Sequence, residues 1–155
     1  LMGGRTSLTL AEGMTGMMEG VFINVKNRSK VITAEVEVPA GGANGTVIAQ
    51  GGRFGGWSLY VKDAVPAYDY NFLGMQRTSI AAGKKLAPGK AVLKFDFAYD
   101  GGGPGKGGKG TLFINDEKVG EGRIEHTQFG IFSAEPIESV SIFLPPSHSA
   151  IRRLS

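Results

Sequence analysis

Glu125, His126 and Ser133 lie close together in the chain and offer a carboxylate, an imidazole and a hydroxyl, the three groups of a nucleophilic hydrolase. Catalytic triads are assembled in space, so spacing alone does not exclude one. No G-x-S-x-G elbow presents the serine, however, and His126 reads as a surface or strand-end residue. His148 falls near the C-terminus, and the two histidines have no metal-ligand spacing. Gly103 to Lys109 matches G-x-x-x-x-G-K, the pattern of a phosphate-cradling loop. Gly110 stands where the magnesium-binding hydroxyl belongs, and the run opens a strand, without the amides and dipole of a helix N-terminus. A flexible hairpin connection is the expected outcome. Asp63, Asp69, Asp96, Asp100 and Asp116 fall at strand ends or in loops, where carboxylates and carbonyls can hold calcium. No dense D-x-D-x-D run supports that role, so they are expected to cap turns and face solvent. No catalytic residue, metal or cofactor is expected.

The aromatic residues say more. Trp57, Tyr60, Tyr68 and Tyr70 concentrate on two neighbouring strands beside Arg53. Aromatic faces stack on sugar rings while polar groups read the hydroxyls, so this region is a candidate glycan platform. Alternation assigns Trp57 and the Tyr68, Tyr70, Phe72 set to the core. Tyr60, flanked in phase by Ser58 and Lys62, faces out. The candidate ligand-binding set is therefore Arg53, Tyr60, Asn71 and Arg77, with the Arg53 guanidinium suited to a bidentate pair with a sulfate or carboxylate.

Positioning such groups falls to strands. The 155 residues fit one domain with a real core, and 25 glycines, well above the average of about 7%, imply many tight turns. Ile32, Ala34, Val36 and Val38 alternate with Thr33, Glu35 and Glu37, and Ala91, Leu93, Phe95, Phe97 and Tyr99 form a second period-two series. Val21, Ile23 and Val25 suggest an earlier strand. Gly51-Gly52 and Gly55-Gly56 hinge a strand pair through 46–50 and 57–62, followed by a turn containing Pro66 and by strands at 68–72, 77–82, 111–115, 117–124, 129–133 and 140–144. Turn signals between strands of this length describe an all-β antiparallel sandwich with little helix. The expected organisation is a lead-in over 1–12, a sandwich over 13–145 and a tail over 146–155. Met14, Met17 and Met18 pack on the sandwich or form a soft binding surface.

Zero cysteines exclude disulfides and zinc-thiolate sites. A net charge of +3 without a continuous basic stripe argues against nucleic acid, and no apolar run is long enough to span a membrane. The chain opens on Leu1 without a signal-peptide pattern and reads as a piece of a longer protein. Asn27-Arg28-Ser29 and Asn44-Gly45-Thr46 fit the N-glycosylation pattern.

Several motifs in one order resemble the C-terminal domain of a large bacterial arylsulfatase family. They are Asn24-Val25-Lys26-Asn27-Arg28-Ser29 with 32–37, the run 48–63, Tyr70-Asn71-Phe72-Leu73-Gly74, Phe97-Ala98-Tyr99-Asp100-Gly101-Gly102-Gly103, Thr111-Leu112-Phe113-Ile114-Asn115 and Gly120-Glu121-Gly122-Arg123-Ile124-Glu125. The resemblance covers about residues 13–135 and implies a jelly-roll sandwich of the laminin-G or concanavalin A type. In that family the region follows a sulfatase catalytic domain with a formylglycine nucleophile and a calcium ion. This chain lacks the C/S-x-P-x-R motif and the metal ligands, so the resemblance implies a non-catalytic accessory domain that packs on a sulfatase domain or shapes access to it. The alternative is a stand-alone, lectin-like module for polysaccharide. After Ser133 the sequence departs from the family pattern, which would leave an open sheet edge that either the tail covers or a second copy pairs with.

Overall fold

The computed structural model describes residues 6–11, 14, 17, 22–52, 55–130 and 151–154. Among these residues ten strands form: β1 (Leu8–Ala11), β2 (Lys30–Val38), β3 (Gly45–Gly52), β4 (Gly55–Lys62), β5 (Val65–Phe72), β6 (Gln76–Ala81), β7 (Gly89–Tyr99), β8 (Gly108–Ile114), β9 (Glu117–Ile124) and β10 (Ile151–Leu154). They form two antiparallel sheets, one ordered β1-β10-β2-β7-β8-β9 and one ordered β3-β4-β5-β6. No helix occurs among the described residues, and the architecture is the all-β sandwich that the alternation predicts.

The long strands follow from period two. In β2, Ile32, Ala34, Val36 and Val38 are buried, and they pair with Phe95, Leu93, Ala91 and Gly89 of β7. Two-residue hairpins join β4 to β5 through Asp63-Ala64 and β8 to β9 through Asn115-Asp116, all four at positive φ, the geometry that matches strand twist. The first turn is complete at Ala64, so Pro66 is not part of it. It pairs with Val61 inside β5, near the strand start where a missing N–H is tolerated. The amides of both glycosylation motifs are engaged: Asn44 accepts the Asp63 N–H at 2.8 Å and Asn27 accepts that of Gly105 at 2.9 Å.

Other expectations are corrected. Phe22, Ile23 and Val25 are all buried in irregular chain, because burying two consecutive side chains breaks strand alternation; Val21 lies outside the described residues. Phe129 and Gly130 are in no strand, and the remainder of the expected strands 129–133 and 140–144 lies outside the described residues. Residues read as lead-in and tail supply β1 and β10. The edge of β2 that would stand open is paired by β10, which carries β1 on its other side.

The glycine-rich run is not a flexible hairpin connection throughout. Gly108 and Gly110 belong to β8, where added side chains would collide with the core. A Cβ on Gly110 would fall 2.7 Å from Ile80 Cδ1 and 2.8 Å from the Phe95 ring. The turn before them is pinned, since the Tyr99 hydroxyl accepts the Lys106 N–H at 3.0 Å and the Thr127 hydroxyl donates to the Lys106 carbonyl at 2.6 Å.

Overpacking of this kind costs about 1–3 kcal/mol, so Gly110→Ala should lower the unfolding free energy by that amount in urea denaturation. Gly41→Ala, which meets nothing within 4 Å, should change it by less than about 0.5 kcal/mol.

Candidate functional site

Packing on the inner face of the four-stranded sheet determines what its outer face displays. Trp57, Leu59, Tyr68, Tyr70 and Ile80 are buried inward. Their neighbours therefore point out, and the register arranges them in rows. One row runs Ala49, Ser58, Asp69, Ser79; the next runs Gly51, Gly56, Asn71, Arg77; Thr46, Tyr60, Ala67 and Ala81 form a third. Across the first two rows the surface sinks into an open cleft of about 270 Å³, bordered by Ser58, Asp69, Asn71 and Arg77.

Gly51 and Gly56 make the floor. Both have φ values closed to most side chains, +134° and +140°, and a Cβ on Gly51 would fall 2.4 Å from the Gly56 Cα. Only paired glycines let the strands meet so closely, which leaves bare backbone under the cleft. The Tyr60 hydroxyl donates to Asp69 Oδ1 at 3.3 Å, and burial, followed by the Asp69 charge, raises the phenol pKa so that it remains a neutral donor. Asn71 Oδ1 accepts the Gly74 N–H at 3.0 Å and holds the β5–β6 turn. Arg77 is exposed and makes no ion pair or side-chain hydrogen bond with a described residue.

Three of the four sequence candidates thus share one face: Asn71 and Arg77 stand opposite each other in one row, and Tyr60 joins them through Asp69. Arg53 lies outside the described residues. Asp69, read only as a capping carboxylate, belongs to the site; its alternation with Tyr68 and Tyr70 was the available signal. Trp57 is core, with its indole N–H donated to Gln50 Oε1 at 3.1 Å.

Behind the cleft sits a residue that sequence reasoning missed. Lys30 is only 5% exposed, and its Nζ lies 4.8 Å from the Trp57 ring centre, 5.7 Å from Phe97 and 6.0 Å from Tyr70. Extending the Ile32, Ala34, Val36, Val38 series back by one step would have placed it inside. The ring faces favour the ammonium, but burial opposes it more strongly and, with the charge of Lys26, lowers the Lys30 pKa to about 7.

Of the hydrolase grouping, Glu125 and His126 make other contacts. Glu125 accepts from Arg123 Nε at 3.1 Å, while the same guanidinium forks onto Asp100 at 2.6 and 3.2 Å and holds that carboxyl below its usual range. His126 packs against the Phe72 ring with centres 5.7 Å apart, and Ser133 lies outside the described residues. Asp116 pairs with Lys94 at 2.8 Å. Among the described residues, no three His, Cys, Asp or Glu side chains are grouped to hold a metal ion.

The fold defines an all-β, two-sheet antiparallel sandwich. Solved structures similar to it include one concerned with the dependence of botulinum neurotoxin type C on two ganglioside molecules (11% identity, TM-score 0.52, 96% of this chain and 42% of that one). Two others hold the binding domain of botulinum neurotoxin DC, one in complex with rat synaptotagmin II (9%, TM-score 0.51, 96% and 41%) and one with SialylT (9%, TM-score 0.50, 96% and 41%). The chain spans between 32% and 42% of the length of such toxin chains, and at these identities the likeness is one of fold. No protein-family model matches the sequence, and no curated protein matches it. The arylsulfatase resemblance therefore rests on the sequence motifs alone.

Lys30 sets a pH dependence whose sign is fixed. Between about pH 7 and the ordinary lysine value of 10.5 the unfolded chain holds one more proton than the folded one, so stability rises with pH through that window. Below pH 7 both states are protonated and the penalty is fully present. Denaturation midpoints should climb between pH 7 and 10, and Lys30→Met should flatten that climb and raise stability at pH 7 by a few kcal/mol.

Proposed function

We propose that this domain is a carbohydrate-binding module that takes polysaccharide into the cleft of its four-stranded sheet. One observation carries the reading: a floor without side chains, bordered by outward groups of complementary hydrogen-bonding type. Asp69 and Ser58 can accept from sugar hydroxyls, and Asn71 and Arg77 can donate to them. The bare Gly51–Gly56 backbone lets a flat ring approach closely, and the Tyr60 ring borders the same face. The ganglioside association of a toxin domain with this fold supports a saccharide ligand at the level of fold only.

A second reading, packing against a sulfate-ester hydrolase domain, draws on the sequence motifs and on Met75 and Phe129, which are 74% and 65% exposed. The methionine surface considered for that contact is not shared by the described members. Met14 is 39% exposed, whereas Met17 packs against the core; Met18 lies outside the described residues.

A glycan array on the purified chain and on a Tyr60→Ala/Arg77→Ala variant separates these readings. The expected result is saturable binding that weakens about tenfold or more in the variant, worth ~1.4 kcal/mol or more, with the native circular dichroism spectrum retained. A blank array from folded protein rejects the saccharide reading and leaves domain packing.

A further inference from the structure

We infer that the cleft selects acidic glycans, seating a carboxylate or sulfate at Arg77 and directing hydroxyls of the same sugar to Asp69. This rests on the saccharide reading of the cleft and adds the ligand class. The first observation is a cleft-side charge without a carboxylate partner among the described residues. Lys84, Lys94, Lys109, Lys118 and Arg123 each hold a carboxylate on the protein surface. Arg77, at the border of the cleft, holds none among the described residues, and its cross-strand neighbour is the neutral Asn71. A guanidinium presents its donors as a planar fork that matches carboxylate and sulfonyl oxygens, so an unpartnered one beside a cleft is a preformed anion contact.

The second observation is the placement of Asp69. It lies one strand over and two residues along from Arg77, about 5 Å across and about 7 Å along the sheet. Tyr60 already orients its carboxylate. That separation suits one sugar residue with its charged substituent at one end and hydroxyls at the other. Asp69 also repels a second anion, so the polarity of the bound sugar is fixed, and glycans bearing charge on both sides of a ring are disfavoured. The Gly51–Gly56 floor extends the cleft away from Arg77 without side chains, giving room for the neighbouring sugar of a chain.

Two matched pairs of oligosaccharides test this by titration calorimetry. Oligogalacturonate against its methyl ester isolates a carboxylate, and a sulfated galactan fragment against its desulfated form isolates a sulfate. The expected result is that at least one charged member binds, with its neutral counterpart about tenfold or more weaker. Arg77→Ala should abolish that preference, and Arg77→Lys should restore only part of it. Whichever charged member binds names the source of the anion. Equal binding of charged and neutral members, or a preference that survives Arg77→Ala, overturns the inference while the saccharide reading stands. So does silence from all four probes when the array shows a neutral glycan bound. A blank array overturns both. Arg77 is exposed and has no side-chain partner among the described residues, so its variants should keep the native circular dichroism spectrum.

Discussion

The sandwich depends on how closely its two sheets approach at one aromatic pair. Tyr68 of β5 and Phe95 of β7 stack with ring centres 3.6 Å apart and planes within 10°, and Trp57 extends the layer at 6.0 Å from Tyr68. This approach requires space behind the rings, and glycines of β8 and β9 provide it. Gly110 lies under Phe95 and Ile80, Gly122 lies against Ile80, and Gly120 faces the Ala81 carbonyl, where a Cβ would fall at 2.5 Å. The strip lets β6 close onto the β8–β9 edge, sealed by the Gly83 N–H to Val119 carbonyl bond at 2.7 Å. Burial of the rings supplies the driving force, and the absence of side chains supplies the fit.

From that layer the cleft follows by geometry. Trp57, Tyr68 and Tyr70 are committed inward, so Ser58, Asp69 and Asn71 are committed outward, and a one-residue slip of β5 would exchange the two sets at a large cost in burial. The β3–β4 bulge has a related effect. Val47 and Ile48 are both buried because the register shifts between Thr46 and Ile48, which keeps Gln50 in phase with Trp57 and Gly51 in phase with Gly56. The inner and outer faces are thus one arrangement: the tryptophan hydrogen-bonded to Gln50 and the glycine floor beside it are consecutive rungs of the same ladder.

The sandwich and most strand positions were legible because period-two burial is a local pattern, clear in 32–38 and 91–99. Outward placement of Tyr60, and of Asn71 between Tyr70 and Phe72, was legible for the same reason. What escaped is set by contacts distant in sequence. The function of Gly108 and Gly110 is invisible without Phe95 and Phe97 beside them, so they resembled a loop. Lys30 was passed over because its type contradicts its phase, and only the rings of Trp57, Tyr70 and Phe97 explain how a lysine occupies that position. Asp69 looked like any strand-end carboxylate until Tyr60 was placed next to it. Asn27 and Thr127, from opposite parts of the chain, pin the 100–107 turn that composition alone made look mobile.

The pairing of β1 with β10 bears on how the chain reaches this structure. Leu8 lies opposite Leu154 and Ala11 opposite Ile151, and β10 stands between β1 and β2. The four-stranded sheet and the β2–β7–β8–β9 ladder can pair without β10, but among the described strands β1 has no partner until β10 is in place. The β1–β10 pairing is therefore a high-contact-order closure that is intrinsically slow. Until it occurs, the edge of β2 is unpaired and open to association with another chain.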